Sequence, residues 1–331
     1  MGVVLSSEDC AELSRLAPTL TLPRLGGGNS GWMVRMTSVN LASEHRASDW
    51  TAWAHGMAGM LIFSASLPAT RVAVEALDPW FVTAGRALIA GLLAVGALLV
   101  LRAPLPARAD WRDLALAAFG VVVGFPLFSA LALKFVPASH VIPFNGLLPL
   151  ATAGFAALIG QDRPRPLFWV FAVMGSGLVA GYAWVSGGLE FELADLFMLA
   201  AIVTCGMGYA YGSRLTKRLG SVAVISWALV VSLPLAVVGS VLFWPATIAS
   251  APASAWAGFA YVSVFSMFVG FLFWYRGLAL GGAARVGQVQ LLQVFAGLGL
   301  AALLLGEPVG VGTWAVAAGV VVSVFAAKRV A

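Results

Sequence analysis

Residues 80–101 read WFVTAGRALIAGLLAVGALLVL, an apolar run opened by Trp80 and interrupted by a single charge, Arg86. A helix of about 20 mainly apolar residues crosses the roughly 30 Å of hydrocarbon in a bilayer, and this run is that long. A strand of a membrane barrel would cover about ten residues and alternate polar with apolar; nothing here alternates. A helix also bonds every backbone amide within its own segment, as lipid requires.

The same reading recurs along the chain. Beside Trp80 to Leu101, spans are predicted at Ala52 to Val74, Trp111 to Leu133, Ala138 to Gly160, Leu167 to Val185 and Leu193 to Ser213. Four more follow at Val222 to Trp244, Ala255 to Tyr275, Ala284 to Leu305 and Gly312 to Ala327, the last being the weakest. The expected fold is therefore an all-α polytopic membrane protein with ten transmembrane helices, nine being the alternative count. Composition agrees: the 331 residues are 61% hydrophobic and 10% charged, with a mean hydropathy of +0.95, whereas soluble domains are about a quarter charged.

Charge placement orients the bundle. Basic residues gather in alternate loops, at Arg102, Arg108 and Arg112, at Arg163 and Arg165, at Arg214, Lys217 and Arg218, at Arg276 and Arg285, and at Lys328 and Arg329. The intervening connections carry Glu75 and Asp78, Lys134, Glu190 and Glu192, and Glu307. Basic loops face the cytoplasm, which places both termini there. The formal charge of +5 thus needs no nucleic acid. Residues 1–50, with Gly26-Gly27-Gly28 and mixed charge, read as a disordered cytoplasmic extension without the apolar core of a signal peptide.

The second half echoes the first at roughly 145 residues: Trp111 with Trp256, Leu131-Ala132-Leu133 with Leu278-Ala279-Leu280, Gln161-Asp162 with Gly306-Glu307, and Trp169 with Trp314. Two repeats follow, 51–186 and 187–331, each of five helices. An odd number inverts the second repeat relative to the first, and inverted repeats are a known route to alternating access around a midplane site.

The run Phe81-Val82-Thr83-Ala84-Gly85-Arg86-Ala87 and the helix ends Leu158-Ile159-Gly160-Gln161-Asp162 and Ala302-Leu303-Leu304-Leu305-Gly306-Glu307-Pro308 resemble the EamA branch of the drug/metabolite transporter superfamily. The likeness extends from about Ala52 to the end, and the bacterial YddG-like aromatic amino-acid exporters are the kind it most resembles. The resemblance implies a secondary transporter, not an enzyme, with spans five and ten peripheral and the cavity lined by spans one to four and six to nine. The expected cargo is a small metabolite, a neutral or aromatic amino acid, exported by alternating access. Two alternatives stand beside it: a carrier of phosphorylated or nucleotide-linked metabolites, and an integral membrane enzyme that modifies lipid.

Polar groups within spans usually face the bundle interior, which selects the candidate substrate-binding residues. Arg86 suits a carboxylate, or else ties helix ends together. Asn145 lies between Pro143 and Pro149, where prolines free backbone carbonyls. Gln290 and Gln293, three apart, share a helix face and suit a zwitterion, or serve as interhelical glue. Phe128, Tyr209, Trp227 and Tyr275 offer aromatic walls, although aromatics also line lipid. Tyr209 falls opposite Ser66 in the repeat. His140 is the titratable candidate, and no Asp or Glu occupies the middle of a span. Gly177 and Gly181 form the small-residue spacing that packs helices within a chain or between two, so a monomer is expected with a dimer as the alternative.

Partners are a small-molecule substrate, membrane lipids and protons as candidate coupling ions. No cofactor or metal is expected, since no metal, phosphate-loop or dinucleotide motif is found and His45, His55 and His140 are scattered. Cys10 and Cys205 do not suggest a disulfide framework.

Overall fold

A computed structural model describes residues 50–160, 165–186, 192–245, 250–281, 286 and 289–330. Expectations placed on residues 1–49, Gln161, Asp162, Arg163, Glu190 and Arg285 lie outside them. The described chain is helical, in segments numbered here α1 Trp50–Ala76, α2 Pro79–Leu101, α3 Arg108–Phe135 and α4 Ala138–Leu158, followed by α5 Pro166–Ser186. The second series is α6 Leu193–Leu219, α7 Ser221–Leu242 and α8 Ala253–Leu278, then α9 Gln290–Leu305 and α10 Val311–Val330. Seven of these, α1 to α4 and α6 to α8, are long and apolar enough to cross a membrane. The fold is an all-α polytopic membrane fold.

Sequence chemistry sets the ends. Asp78 caps α2, its Oδ1 accepting from Trp80 N at 2.8 Å, with Pro79 in the first turn, where its missing N–H is no loss. Glycines in the left-handed region follow α4 and α9, Gly160 at φ 74° and Gly306 at φ 65°, a conformation that other residues rarely adopt. These two are counterparts, which moves the pairing of the helix ends by one residue from that of Gln161-Asp162 with Gly306-Glu307. Outward faces carry large apolar side chains, such as Leu99 and Val100 on α2, Leu235 and Leu242 on α7 and Leu303 on α9, all more than two thirds exposed. Such faces would drive aggregation in water; in lipid they are the solvated surface.

The helices pack in an exchangeable pattern. Extensive contacts join α3 to α6, α2 to α7 and α5 to α10. Helix α1 lies against α8 as α6 lies against α3, and α1 meets α9 as α6 meets α4. Close approach relies on glycine. A Cβ at Gly120 of α3 would stand 2.6 Å from Gly208 Cα on α6, and one at Gly277 of α8 would stand 2.8 Å from Gly56 N on α1. A Cβ at Gly177 or at Gly181 would meet nothing within 4 Å, so neither position is held to glycine by a neighbour among the described residues.

Both α3 and α8 contain a π segment, at Phe119–Gly124 and Val262–Val269. Phe125 N donates to Gly120 O and Gly270 N to Phe265 O, two five-residue turns at the spacing that separates Trp111 from Trp256. Such bulges add a residue to a turn and recur at functional sites.

Candidate functional site

A cavity of about 430 Å³, part of it continuous with the outside, lies in the middle of the bundle. The first half lines it with Phe63, Ser66 and Leu67 of α1, Arg86 of α2, Val121, Phe125 and Pro126 of α3, and Asn145 and Leu148 of α4. The second half adds Cys205 and Tyr209 of α6, Ser266 and Phe271 of α8, and Gln293 of α9. Helix α7, expected among the lining spans, contributes no described lining residue: it packs against α2, α3, α6 and α8 and turns its other face to the outside.

Arg86 is 4% exposed, so its guanidinium does not reach for the membrane surface. Its Nη2 donates to Ser266 Oγ at 3.1 Å, and Ser66 Oγ donates to the same oxygen at 2.7 Å. Ser266 sits within the π segment of α8, which delivers this acceptor to both halves. Arg86 Nε has no partner. Among the lining residues Arg86 is the one formal charge, and a buried cation with a spare donor is costly unless something completes it.

Opposite in character are two amides. Gln293 donates from Nε2 towards Phe63 O at 3.5 Å, leaving Oε1 unpaired, and Asn145 Oδ1 is also unpaired. Asn145 lies in a 3₁₀ stretch, Ile142–Leu147, entered through Pro143. Buried polar atoms are almost always bonded, so one free donor on a cation and two free acceptors around a single cavity describe a site short of a ligand.

The remaining wall is aromatic. Phe271 meets Phe63 edge to face at 5.0 Å and Tyr209 at 6.2 Å. Two pairs at one spacing supply it, Phe63 with Tyr209 and Phe125 with Phe271, a register that sets Tyr209 opposite Phe63 rather than opposite Ser66 as expected. The triplet Val-Gly-Phe at 123–125 recurs at 269–271, a signal that could have identified Phe125 and Phe271 beforehand.

Five expected residues therefore converge: Ser66, Arg86, Asn145, Tyr209 and Gln293. The other five stand elsewhere. Phe128 stacks on Phe197 at 6.4 Å and Trp227 meets Trp111 edge-on at 6.1 Å. Tyr275 and Gln290 are buried behind the lining, with Tyr275 OH and Gln290 Nε2 unpaired. His140 bonds Asp195 at the head of α4, Nε2 to Oδ1 at 2.7 Å. Among the described residues no group of three His, Cys, Asp or Glu could hold a metal.

The two ends of the bundle are tied differently. At one end Arg218 forks onto Asp110, Nη1 to Oδ1 at 2.9 Å and Nη2 to Oδ2 at 3.2 Å, while Arg214 stands 3.6 Å from Asp113. At the other, Glu307 accepts from the first amides of α4, Ala138 N at 2.9 Å and Ser139 N at 2.6 Å. Lys134 donates there to Val74 O at 3.0 Å, and Arg71 to Leu133 O.

Known proteins resemble this chain in sequence and in fold. "Uncharacterized transporter YdeK" of Bacillus subtilis (strain 168) is 55% identical over 279 residues, 84% of this chain and 97% of that relative. A solved crystal structure at 23% identity shares the fold, with a TM-score of 0.60 over 85% of this chain and 99% of its own. The profile of the EamA-like transporter family matches twice, at residues 51–184 and 192–327. The family is one of transporters rather than enzymes, which sets aside the lipid-modifying alternative, and the chain is a polytopic protein of the bacterial inner membrane. The chain belongs to the EamA-like transporter family.

Proposed function

We propose that this transporter exports a small zwitterionic metabolite, a neutral amino acid with an apolar or aromatic side chain, by alternating access between two inverted five-helix halves. The observation that carries the reading is the cavity's set of unpaired groups. Arg86 Nε meets the substrate carboxylate, Asn145 Oδ1 and Gln293 Oε1 accept from its ammonium group, and Phe63, Phe125, Tyr209 and Phe271 hold its side chain. A charged donor and neutral acceptors match a molecule bearing both charges. Phosphorylated cargo calls for several converging bases, and Arg86 stands alone among the lining residues.

Support for inverted halves comes from the paired π turns, the exchangeable packing and the two successive profile matches. The basic connections favour a cytoplasmic setting for the Arg218 end, and with it for both termini. The working form is a monomer, with a dimer as the alternative.

Counterflow in proteoliposomes with radiolabelled neutral amino acids, wild type against Arg86→Ala, tests the reading. Saturable exchange of an apolar or aromatic amino acid is expected. Its apparent affinity should fall about 30-fold or more in the variant, since truncating one partner of a buried ion pair costs about 2 kcal/mol or more. Exchange of no amino acid would overturn the cargo; undiminished exchange by the variant would remove Arg86 from the site.

A further inference from the structure

Arg86 and its two serine neighbours hold more hydrogens than they spend. A guanidinium carries five N–H donors, and the one contact that Arg86 makes among the described residues, from Nη2 to Ser266 Oγ, uses one of them. Its Nε is buried and unpaired. Ser66 and Ser266 are joined by a single hydrogen bond of 2.7 Å, and two hydroxyls sharing one bond leave one hydrogen over, whichever of them donates. Buried serines elsewhere spend that hydrogen on the carbonyl four residues earlier, as Ser64 does on Met60 O and Ser232 on Ala228 O. For Ser66 the corresponding carbonyl, Ile62 O, already accepts from Tyr261 OH at 2.8 Å.

No acid balances this charge. None of the lining residues is an Asp or a Glu. The carboxylates among the described residues are engaged near helix ends: Asp110 and Asp113 by arginines of α6, Asp195 by His140, and Glu307 by the first amides of α4. The rest serve groups of their own helices. A buried cation without a counter-charge is strongly disfavoured. A tie between helices would account for the Nη2 contact and leave Nε unexplained.

We propose that Arg86, Ser66 and Ser266 form a binding site for a small monovalent anion of the halide class, chloride, which balances Arg86 whenever the cargo carboxylate is away.

Charge fixes the valence. One guanidinium and a neutral hydroxyl hydrogen balance one negative charge, whereas sulfate or phosphate would bring a second into an apolar cavity. A halide also has no preferred geometry of its own, so it can accept together from N–H and O–H groups that different helices supply. The free acceptors Asn145 Oδ1 and Gln293 Oε1 stand on α4 and α9 and repel an anion, which confines it to the Arg86 side. That anion and cargo exclude each other rests on the reading that Arg86 meets the cargo carboxylate; the anion site itself needs no cargo.

Chlorine nuclear magnetic resonance tests the site on full-length protein in detergent micelles, with gluconate as the inert anion. Chloride exchanging with a protein site broadens its line, and the expected broadening saturates and is displaced by bromide. Arg86→Gln should reduce the displaceable part about tenfold or more, as loss of a hydrogen-bonded charge does, while Arg112→Gln, at an exposed arginine of α3, should leave it unchanged. Ser66→Asp, which supplies the missing counter-charge and keeps Arg86, should also reduce it about tenfold or more; Ser66→Asn, of the same shape without the charge, should lose far less. This second pair decides the matter even where Arg86→Gln does not fold. Broadening that bromide does not displace, that survives Arg86→Gln, or that falls equally in Ser66→Asp and Ser66→Asn would overturn the site. Amino-acid counterflow without anion binding would sink the anion site alone, and anion binding without counterflow would sink the cargo alone. With both present, chloride should lower the apparent affinity for the cargo; an affinity indifferent to chloride would overturn the shared use of Arg86.

Discussion

Ser266 shows how one hydroxyl can decide a site. Most buried serines here donate to the carbonyl four residues earlier, as Ser263 does to Phe259 O at 2.6 Å and Ser240 to Ala236 O at 2.7 Å, so a serine in an apolar span carries little message of its own. Ser266 instead accepts from Arg86 and Ser66. Removing it strands a buried guanidinium N–H, at about 1–3 kcal/mol. Ser266→Ala should thus lose thermal stability in detergent, and substrate should protect it less than wild type; an unchanged melting temperature would show that Arg86 finds another acceptor. Arg86 itself was legible, because a lone charge in 80–101 has little else to do than face inward. The rotation of aromatic-rich helices was less so. Phe128, Trp227 and Tyr275 are as apolar in sequence as Phe63 and Phe271, and only tertiary packing decides which reach the cavity.

At the scale of the helix, boundaries were readable to within a few residues because lipid demands long apolar runs and polar caps end them. Close approach was not readable from glycine spacing. The Gly177 and Gly181 pair has the familiar interval, yet a Cβ there would meet nothing within 4 Å, whereas Gly120 and Gly208 lie apposed across α3 and α6. Gly208→Ala should therefore destabilise, by about 1–3 kcal/mol for overpacking against backbone. Gly177→Ala should be neutral or stabilising, by up to about 1 kcal/mol, as alanine suits a helix interior better. Denaturation in mixed micelles compares them, and equal behaviour would refute the crossing. The cap from Glu307 to α4 joins elements far apart in sequence. Glu307→Ala should cost about 0.5–2 kcal/mol, the usual range for a lost helix cap, and the conservative Glu307→Gln should recover part of it.

For the molecule as a whole, the expected parity of five helices per half and the alternation of loop charge predict an orientation without coordinates. A membrane-impermeant thiol reagent checks it on intact spheroplasts, using Leu105→Cys and Val311→Cys at positions 75% and 86% exposed. Val311→Cys should react from outside and Leu105→Cys only after permeabilisation; the opposite pattern would reverse inside and outside. The repeat was partly visible in sequence through Trp111 and Trp256, but its closest correspondence, the matched π turns, was hidden. A five-residue turn has no residue signature of its own, and it arises from how α3 and α8 fit their neighbours.

Those turns have a mechanical meaning. Converting one π turn to an α turn removes one residue from the winding, which rotates the helix beyond it by about 100° and advances it by about 1.5 Å. In α8 the thread that would turn carries Ser266 and Phe271; in α3 its twin carries Phe125 and Pro126. A screw that disengages the serine from Arg86 would reshape the polar and aromatic walls in a single movement, without breaking the helix that bears them.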